Sequence, residues 1–393
     1  MRVRDSMAPA FACILGDMDL VRSLGLAGIR CIVVTRRGNP AAFTRFARKV
    51  VYLDDTGSEG RELDALLAVG RGQAVQPVLF YEDDAQLLMI SRNRAALAEV
   101  FRFVIAAPDL IEDLVDKGRF AALSRRLGLP VPATKVVEPV SEPPIADFSW
   151  PAIVKPIRRT LLWDEVAGTH KALRVDDAAA LRALWPRLAK SGGRYLVQED
   201  VPGPESRIES YHVYVDGTGA VAAEFTGRKI RTNPVACGHS CALELTDAAD
   251  VVALGRDLVG RMDLRGVAKF DFKRAPDGRL FLLEVNPRFT LWHHLGAVAG
   301  VNIPAVVFAD MAGTARPPAG AVRSGARWAR LRSDLRAARE QGVSFAAWAS
   351  FAWACEAKSL LAWDDPMPAL GRIAFRIRER VSRRVPNLAA SKT

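Results

Sequence analysis

Short, uninterrupted apolar runs alternate with helical spacing through the first hundred residues, and this alternation restricts the fold more than any other feature. Residues 11–15, 30–35, 49–53 and 76–81 are such runs. A strand covered on both faces needs an unbroken apolar run, whereas a half-exposed strand alternates. Residues 20–27 carry helical spacing, and Gly28 stands where a C-cap belongs. Strands interleaved with helices in this way predict a parallel α/β sheet. Gly16, Gly25 and Gly28 lack the spacing of a dinucleotide fingerprint, so that site is not assigned.

The remaining chain is long enough for further domains. Of 393 residues, half are hydrophobic and a quarter charged, which allows a large core without disulfides and excludes disorder. Five scattered cysteines (Cys13, Cys31, Cys237, Cys241, Cys355) fit a reducing, cytoplasmic compartment. Cys237 and Cys241 flank a histidine, yet no second cluster answers them, and a metal knot is not expected there. The net charge of +11 is concentrated: from Arg316 onward stand 15 Lys or Arg against 6 Asp or Glu. A body so nearly neutral speaks against nucleic acid as a partner. No segment is expected to span a bilayer, because the longest suggestive run, residues 342–355, has fourteen uncharged residues against the roughly 20 a membrane helix needs. Asp5, Asp17 and Asp19 bracket the first apolar run, so it reads as a buried strand and not as a signal peptide.

Further along, residues 110–127 read as one helix closed by Gly128-Leu-Pro130. Strand patterns follow at 152–155, 195–199, 210–215, 220–226 and 267–274, with helices at 178–189 and 251–262. Prolines at 317 and 318 mark a linker into a basic tail with helical patterns at 328–340 and 370–384.

One segment carries chemistry. Two alternating runs, 267–274 and 279–286, flank Ala275-Pro-Asp-Gly278, whose turn residues predict a hairpin. With those four residues as the loop, Arg274 pairs with Arg279 and Asp271 with Leu282. Period-two geometry then places Asp271, Leu282, Glu284 and Asn286 on one face. Three oxygen-bearing side chains on rigid strands suit a hard divalent cation such as Mg²⁺. Arg288 follows within reach of the same face. In the strand leaving Gly227, the same period places Lys229 and Arg231 together, with Arg228 opposite.

These pieces, taken in order, resemble the ATP-grasp superfamily, and within it the carboxylate–amine ligases of the D-aspartate ligase type. The resemblance rests on Leu283-Glu-Val-Asn-Pro-Arg288, Gln198-Glu-Asp-Val-Pro-Gly203 and Phe225-Thr-Gly-Arg-Lys-Ile-Arg231, with weaker support from Asp116-Lys117, Ile153-Val-Lys-Pro156 and residues 79–93. It runs from about residue 11 to about residue 313. It implies a parallel pre-ATP-grasp α/β domain (1–105), two α+β subdomains (106–192 and 193–315) gripping ATP, and a basic helical C-terminal region (316–393).

The resemblance also implies roles. Lys117 and Lys155 would hold phosphates, and Gln198, Glu199 and Val201 would form the adenine hinge. Glu205 or Glu209 would meet the ribose, a choice the sequence leaves open. Asp271, Glu284 and Asn286 would bind Mg²⁺, in one or two ions, with Mn²⁺ as a substitute. Lys229 and Arg231 would steady the transferring phosphoryl group, while Arg288 orients the carboxylate. One departure is that residues 157–165 carry no glycine run, leaving Arg158, Arg159 and Thr160 as candidates over the γ-phosphate.

The function so implied is ATP-dependent activation of a small carboxylate as an acyl phosphate, then attack by an amine. Two alternatives are transfer to a non-amine acceptor and a silent nucleotide-binding protein at a membrane surface. For the tail, a helix packed on the body with a solvated arginine face is preferred over peripheral attachment to anionic lipid.

Overall fold

The computed structural model describes residues 10–384 apart from 54–57, 140, 141, 144, 146–148, 159, 169, 236, 237 and 319, and apart from the side chains of 382–384. Arg159 and Cys237, and the side chains of Arg383 and Arg384, therefore lie outside the described residues.

The apolar runs at the N-terminus form the expected sheet. Strands β1 (Ala12–Leu15), β2 (Cys31–Thr35), β3 (Ala47–Tyr52) and β4 (Val78–Tyr81) pair in parallel in the order β3-β2-β1-β4. β1, β2 and β4 are buried along their whole length, as unbroken apolar runs require. Helices α1 (Met18–Leu26), α2 (Glu59–Arg71), α3 (Asp84–Arg92) and α4 (Arg94–Ala98) accompany them. Asp17 and Asp83 cap α1 and α3, which places both helix N-termini just past the ends of β1 and β4.

The single helix expected over 110–127 is two: α5 (Pro108–Val115) and α6 (Lys117–Leu127). Asp116 breaks the run because its extended backbone lets the carboxylate accept from Gly118 N and Arg119 N as an N-cap. A second sheet follows, built from β5 (Thr134–Val137), β6 (Ala152–Pro156), β7 (Leu173–Val175) and β8 (Tyr195–Glu199) in the order β5-β8-β6-β7. It packs on α7 (Leu161–Ala167) and α8 (Ala178–Lys190) through a small core containing Trp163, Leu181 and Tyr195.

The third sheet has seven strands: β9 (Ile208–Val215), β10 (Val221–Asn233), β11 (His239–Thr246), β12 (Gly266–Arg274), β13 (Leu280–Asn286), β14 (Arg327–Ala329) and β15 (Ala357–Lys358). Their order is β13-β12-β9-β10-β11-β14-β15. Helix α9 (Ala249–Arg261) covers one face, and α10 (Trp292–Val298) and α11 (Ile303–Ala312) sit between the other face and the N-terminal sheet.

The region beyond residue 316 is not a detached tail. Residues 328 and 329, expected to start a helix, belong instead to β14 of the seven-stranded sheet, with Trp328 fully buried. Its Nε1 donates to Asp19 Oδ1 at 2.9 Å, and Ser359 Oγ donates to Asp19 Oδ2 at 2.9 Å. Buried acceptors need donors, and here the C-terminal region supplies them to α1. Helices α12 (Leu331–Glu340), α13 (Phe345–Ala354) and α14 (Met367–Arg384) complete the chain. Among the described residues no single helix is long and apolar enough to cross a membrane.

Candidate active site

A cleft of about 580 Å³ opens between the second and third sheets, a size within the range of small-molecule sites. Lys117 reaches it from the first turn of α6, and Lys155 from the end of β6. Lys117 Nζ donates to Pro156 O at 3.0 Å, tying helix to strand. Burial, with Lys155 nearby, holds the Lys117 ammonium below its ordinary pKa. Lys155 Nζ donates to Gln198 Oε1 at 3.1 Å, and Gln198 Nε2 donates to Thr134 Oγ1 at 2.8 Å. Gln198 thus lines the cleft and aims Lys155.

The opposite wall comes from the hairpin, in a register the turn alone did not predict. Arg274 pairs with Leu280 because Ala275 already faces Arg279 at the turn, and Asp271 pairs with Glu284 because the pairing shifts again between Asp271 and Phe272. On β13 two steps, from Leu282 to Glu284, answer one step on β12, so Leu283 is the extra residue of a bulge. Leu282 therefore turns into the core with Phe272 and does not share the face of Glu284. Its N–H points away from β12 and donates to Pro130 O at 2.7 Å. Asp271, Glu284 and Asn286 do line the cleft together, with Asn286 Nδ2 donating to Glu284 Oε1 at 3.1 Å.

Asp271 is buried and already partnered. Lys269 Nζ lies 2.5 Å from its Oδ2, Lys229 Nζ lies 3.5 Å from the same oxygen, and Ser210 Oγ donates to Oδ1. Although burial opposes it, the two ammoniums hold the Asp271 carboxyl well below the usual range. Burial also works against the Lys229 ammonium, but Asp271 and Glu284 prevail and keep it raised. Burial wins at Lys269, which is lowered. Lys269 escaped the sequence reading, although its place two residues before Asp271 puts it on the same face.

Arg231 is not in the cleft. The pairing of β10 with β11 shifts between Lys229 and Arg231, because Lys229 meets Leu243 and Arg231 meets the adjacent Ala242. This bulge reverses the alternation, leaving Lys229 in the cleft and turning Arg231 to the face of Arg228. There Arg231 pairs with Asp334 of α12 and lies over the Phe351 ring, at 4.4 Å from its centroid. Arg228 pairs with Glu244 on that outer face.

The two glutamates differ in position: Glu205 lines the cleft, while Glu209 is held by Arg274 through both carboxylate oxygens. Glu199 and Val201 lie beside the cleft and not among the residues lining it. The Glu199 N–H donates to Ala133 O at 2.9 Å, and its carboxylate accepts from Ser149 N at 2.9 Å. Thr160 caps α7 by accepting from Trp163 N, and Arg158 is exposed. The segment after Lys155 thus becomes a helix where a phosphate-covering loop was sought.

Arg288 stands at the cleft's end next to Asn286 and Pro287. Its Nε donates to Asp84 Oδ1 at 2.5 Å, Nη1 to Glu82 O at 3.0 Å, and Nη2 to Asn286 Oδ1 at 3.1 Å. Asp84 itself lines the cleft, so the first domain contributes a wall that no motif announced. The adjacent histidines do structural work: His294 Nδ1 lies 2.9 Å from Asp19 Oδ1 and His293 Nδ1 lies 3.0 Å from Thr290 O. Among the described residues, no group of three or more His, Cys, Asp or Glu is arranged to hold a metal. A cation site here would rest on two carboxylates and one amide, a hard-oxygen set that phosphate oxygens and water would complete.

No family model matches the chain. A D-alanine–D-alanine ligase of Pseudomonas putida (strain GB-1) is 26% identical over 213 residues, covering 50% of this chain and 64% of that protein. The chain's match thus spans less than two thirds of that relative. Among solved structures, N5-carboxyaminoimidazole synthetase from Staphylococcus aureus superposes with a TM-score of 0.63 at 15% identity, covering 85% of this chain and 86% of that one. An L-amino acid ligase from Bacillus licheniformis gives 0.60 at 15% identity, covering 81% and 78%.

Proposed function

Because the chain has the ATP-grasp fold, we propose that it is an ATP-dependent ligase that activates a small carboxylate as an acyl phosphate and joins it to an amine. One observation carries the reading. Lys117 and Lys155 on one wall face Lys229, Glu284 and Asn286 on the other, across one cleft of nucleotide-binding size.

In this mechanism Lys117 and Lys155 hold phosphate oxygens as compact point charges. The Glu199 carbonyl and the Val201 N–H take the base, and Glu205 takes the ribose. Lys229 meets the transferring phosphoryl group, with Asp271 and Lys269 fixing its place. Glu284, Asn286 and Asp271 would hold Mg²⁺, one ion or two, with Mn²⁺ suiting the same oxygens. The ion would supply charge neutralisation on the phosphates. Of the three, Asp271 is the least available, since two ammoniums already share its charge.

The substrate carboxylate attacks the γ-phosphorus, and the bond to the β-phosphate oxygen breaks to release ADP. The amine then attacks the acyl carbon, phosphate departs, and the nitrogen loses a proton to leave an amide. Arg288 orients the carboxylate or acyl phosphate by exchanging Asp84 for the incoming anion. Catalysis is positioning and charge stabilisation, for which a planar fork and buried ammoniums are suited.

The test is ADP release across panels of small carboxylates and amines, with product mass analysis. Release that needs both substrates and yields an amide supports the proposal. Release with a carboxylate but indifferent to every amine assigns a different acceptor. ATP binding without carboxylate-dependent release assigns a silent nucleotide-binding protein.

A further inference from the structure

Helix α14 presents its aliphatic side to solvent. Each helical residue advances about 100° around the axis, so Leu370, Ile373, Ile377 and Val381 form one stripe. Their exposures are 55%, 57%, 58% and 56%, far above those of a helix packed through its apolar face. The body holds the opposite side. Gly371 lies against the Phe43 ring, where an added Cβ would come within 2.4 Å, and Phe375 lies equally close to Gly38. Only glycine permits this approach at 371, so the stripe is locked outward. The helix thus packs on the body with exposed arginines, as the sequence led one to expect, but its aliphatic stripe faces solvent beside them.

We propose that α14 docks this chain on an anionic lipid surface. Arg376 and Arg380 border the stripe on one side and Arg378 on the other, as the same angular count requires. All three are exposed. Arg332 of α12 joins Arg376 and Arg380, with Glu379, around a shallow cleft of about 390 Å³. Aliphatic residues in the centre and arginines at the margins match a helix lying in the headgroup boundary, its charged ends reaching the phosphates. Trp363, which precedes the helix, is 94% exposed, and an indole of this kind favours the same boundary. The concentration of 15 basic residues beyond residue 315 adds long-range attraction to anionic lipid. A second copy of the chain is a poorer occupant, because a two-fold contact through this stripe brings like-charged margins together.

The experiment is flotation of the full chain with vesicles of phosphatidylcholine, alone or mixed with phosphatidylglycerol, across a salt series. The parent floats with the anionic vesicles only, and less as salt rises. I373S/I377S lowers the bound fraction at least about tenfold. R376Q/R380Q does the same and flattens the salt dependence, while unchanged melting temperatures show that both variants are folded. No flotation of the parent, or equal flotation of parent and I373S/I377S, overturns the proposal. So does a non-floating parent dimer that I373S/I377S converts to monomer, which gives the stripe to a second copy. None of these readouts uses turnover, so their failure leaves the ligase reading intact.

Discussion

Arg231 grips Asp334 with both arms of its guanidinium, Nε to Oδ1 at 2.6 Å and Nη2 to Oδ2 at 2.8 Å, inside the protein and away from the cleft. Trp348 Nε1 donates to the same carboxylate at 3.0 Å. The pair fastens the C-terminal region to β10. Removing one partner of a buried pair leaves an uncompensated charge, at a cost of about 3–5 kcal/mol. Asp334→Ala is therefore expected to lose about that much stability in urea unfolding. Its turnover per folded molecule stays near that of the parent at a permissive temperature. A large loss of turnover in folded Asp334→Ala would return Arg231 to the catalytic group.

Lys229 is expected to behave oppositely. Lys229→Gln leaves Lys269 on Asp271, so folding is largely preserved. On the proposed role of Lys229 at the transferring phosphoryl group, its loss lowers kcat on the order of a hundredfold or more. Parallel measurement of kcat and melting temperature for the two variants separates the two faces of β10.

Glu284→Gln keeps the shape of β13 while removing a charge from the cleft. Near-normal circular dichroism, weakened Mg²⁺ dependence and at least about a hundredfold loss of ATP turnover are expected. Parent-like turnover in this variant would refute the metal assignment.

Arg288→Lys keeps the charge and loses the fork that now spans Asp84, Glu82 and Asn286. Carboxylate-dependent turnover should fall far more than nucleotide affinity, as measured by saturation kinetics beside direct ATP titration. Weakened ATP binding with intact turnover at saturating ATP would place Arg288 with the nucleotide instead.

Glu82 provides a pH signature. Burial pushes its carboxyl from the ordinary 4.5 up to about 8, with Asp17 and Asp19 adding to the rise. Folded protein then keeps a proton that the unfolded chain has released. Stability from this group is complete below about 4.5, falls as pH rises through the window, and is gone above about 8. Glu82→Gln stays neutral and can still accept from Asp17 N, so its unfolding free energy should decline less across that window. Identical pH profiles would show that Glu82 is ionised in the fold.

What the chain by itself determined was local. Uninterrupted apolar runs such as residues 31–35 specify doubly covered strands, because only both-face burial favours them. Pro276-Asp277-Gly278 specifies a hairpin, because its residues suit a turn. The nearness of Asp271, Glu284 and Asn286 followed from that hairpin, since the residues lie within a few pairs of one turn. Lys155 was likewise placed by its strand, at the end of β6, whereas Lys117 lay inside one expected helix until the Asp116 cap set it at the start of α6.

Tertiary pairing decided the rest. A bulge depends on which strand lies alongside, so neither the inversion at Arg231 nor the inward turn of Leu282 is written in period-two spacing. Glu205 and Glu209 are chemically alike until Arg274, 65 residues beyond Glu209, claims one of them. Asp84 joins the cleft only because the first sheet packs beside the third. Spacing alone gave α14 an apolar stripe, but spacing cannot say which side the body will cover. Gly371 against Phe43 settled that, by a close approach that a wider side chain would prevent.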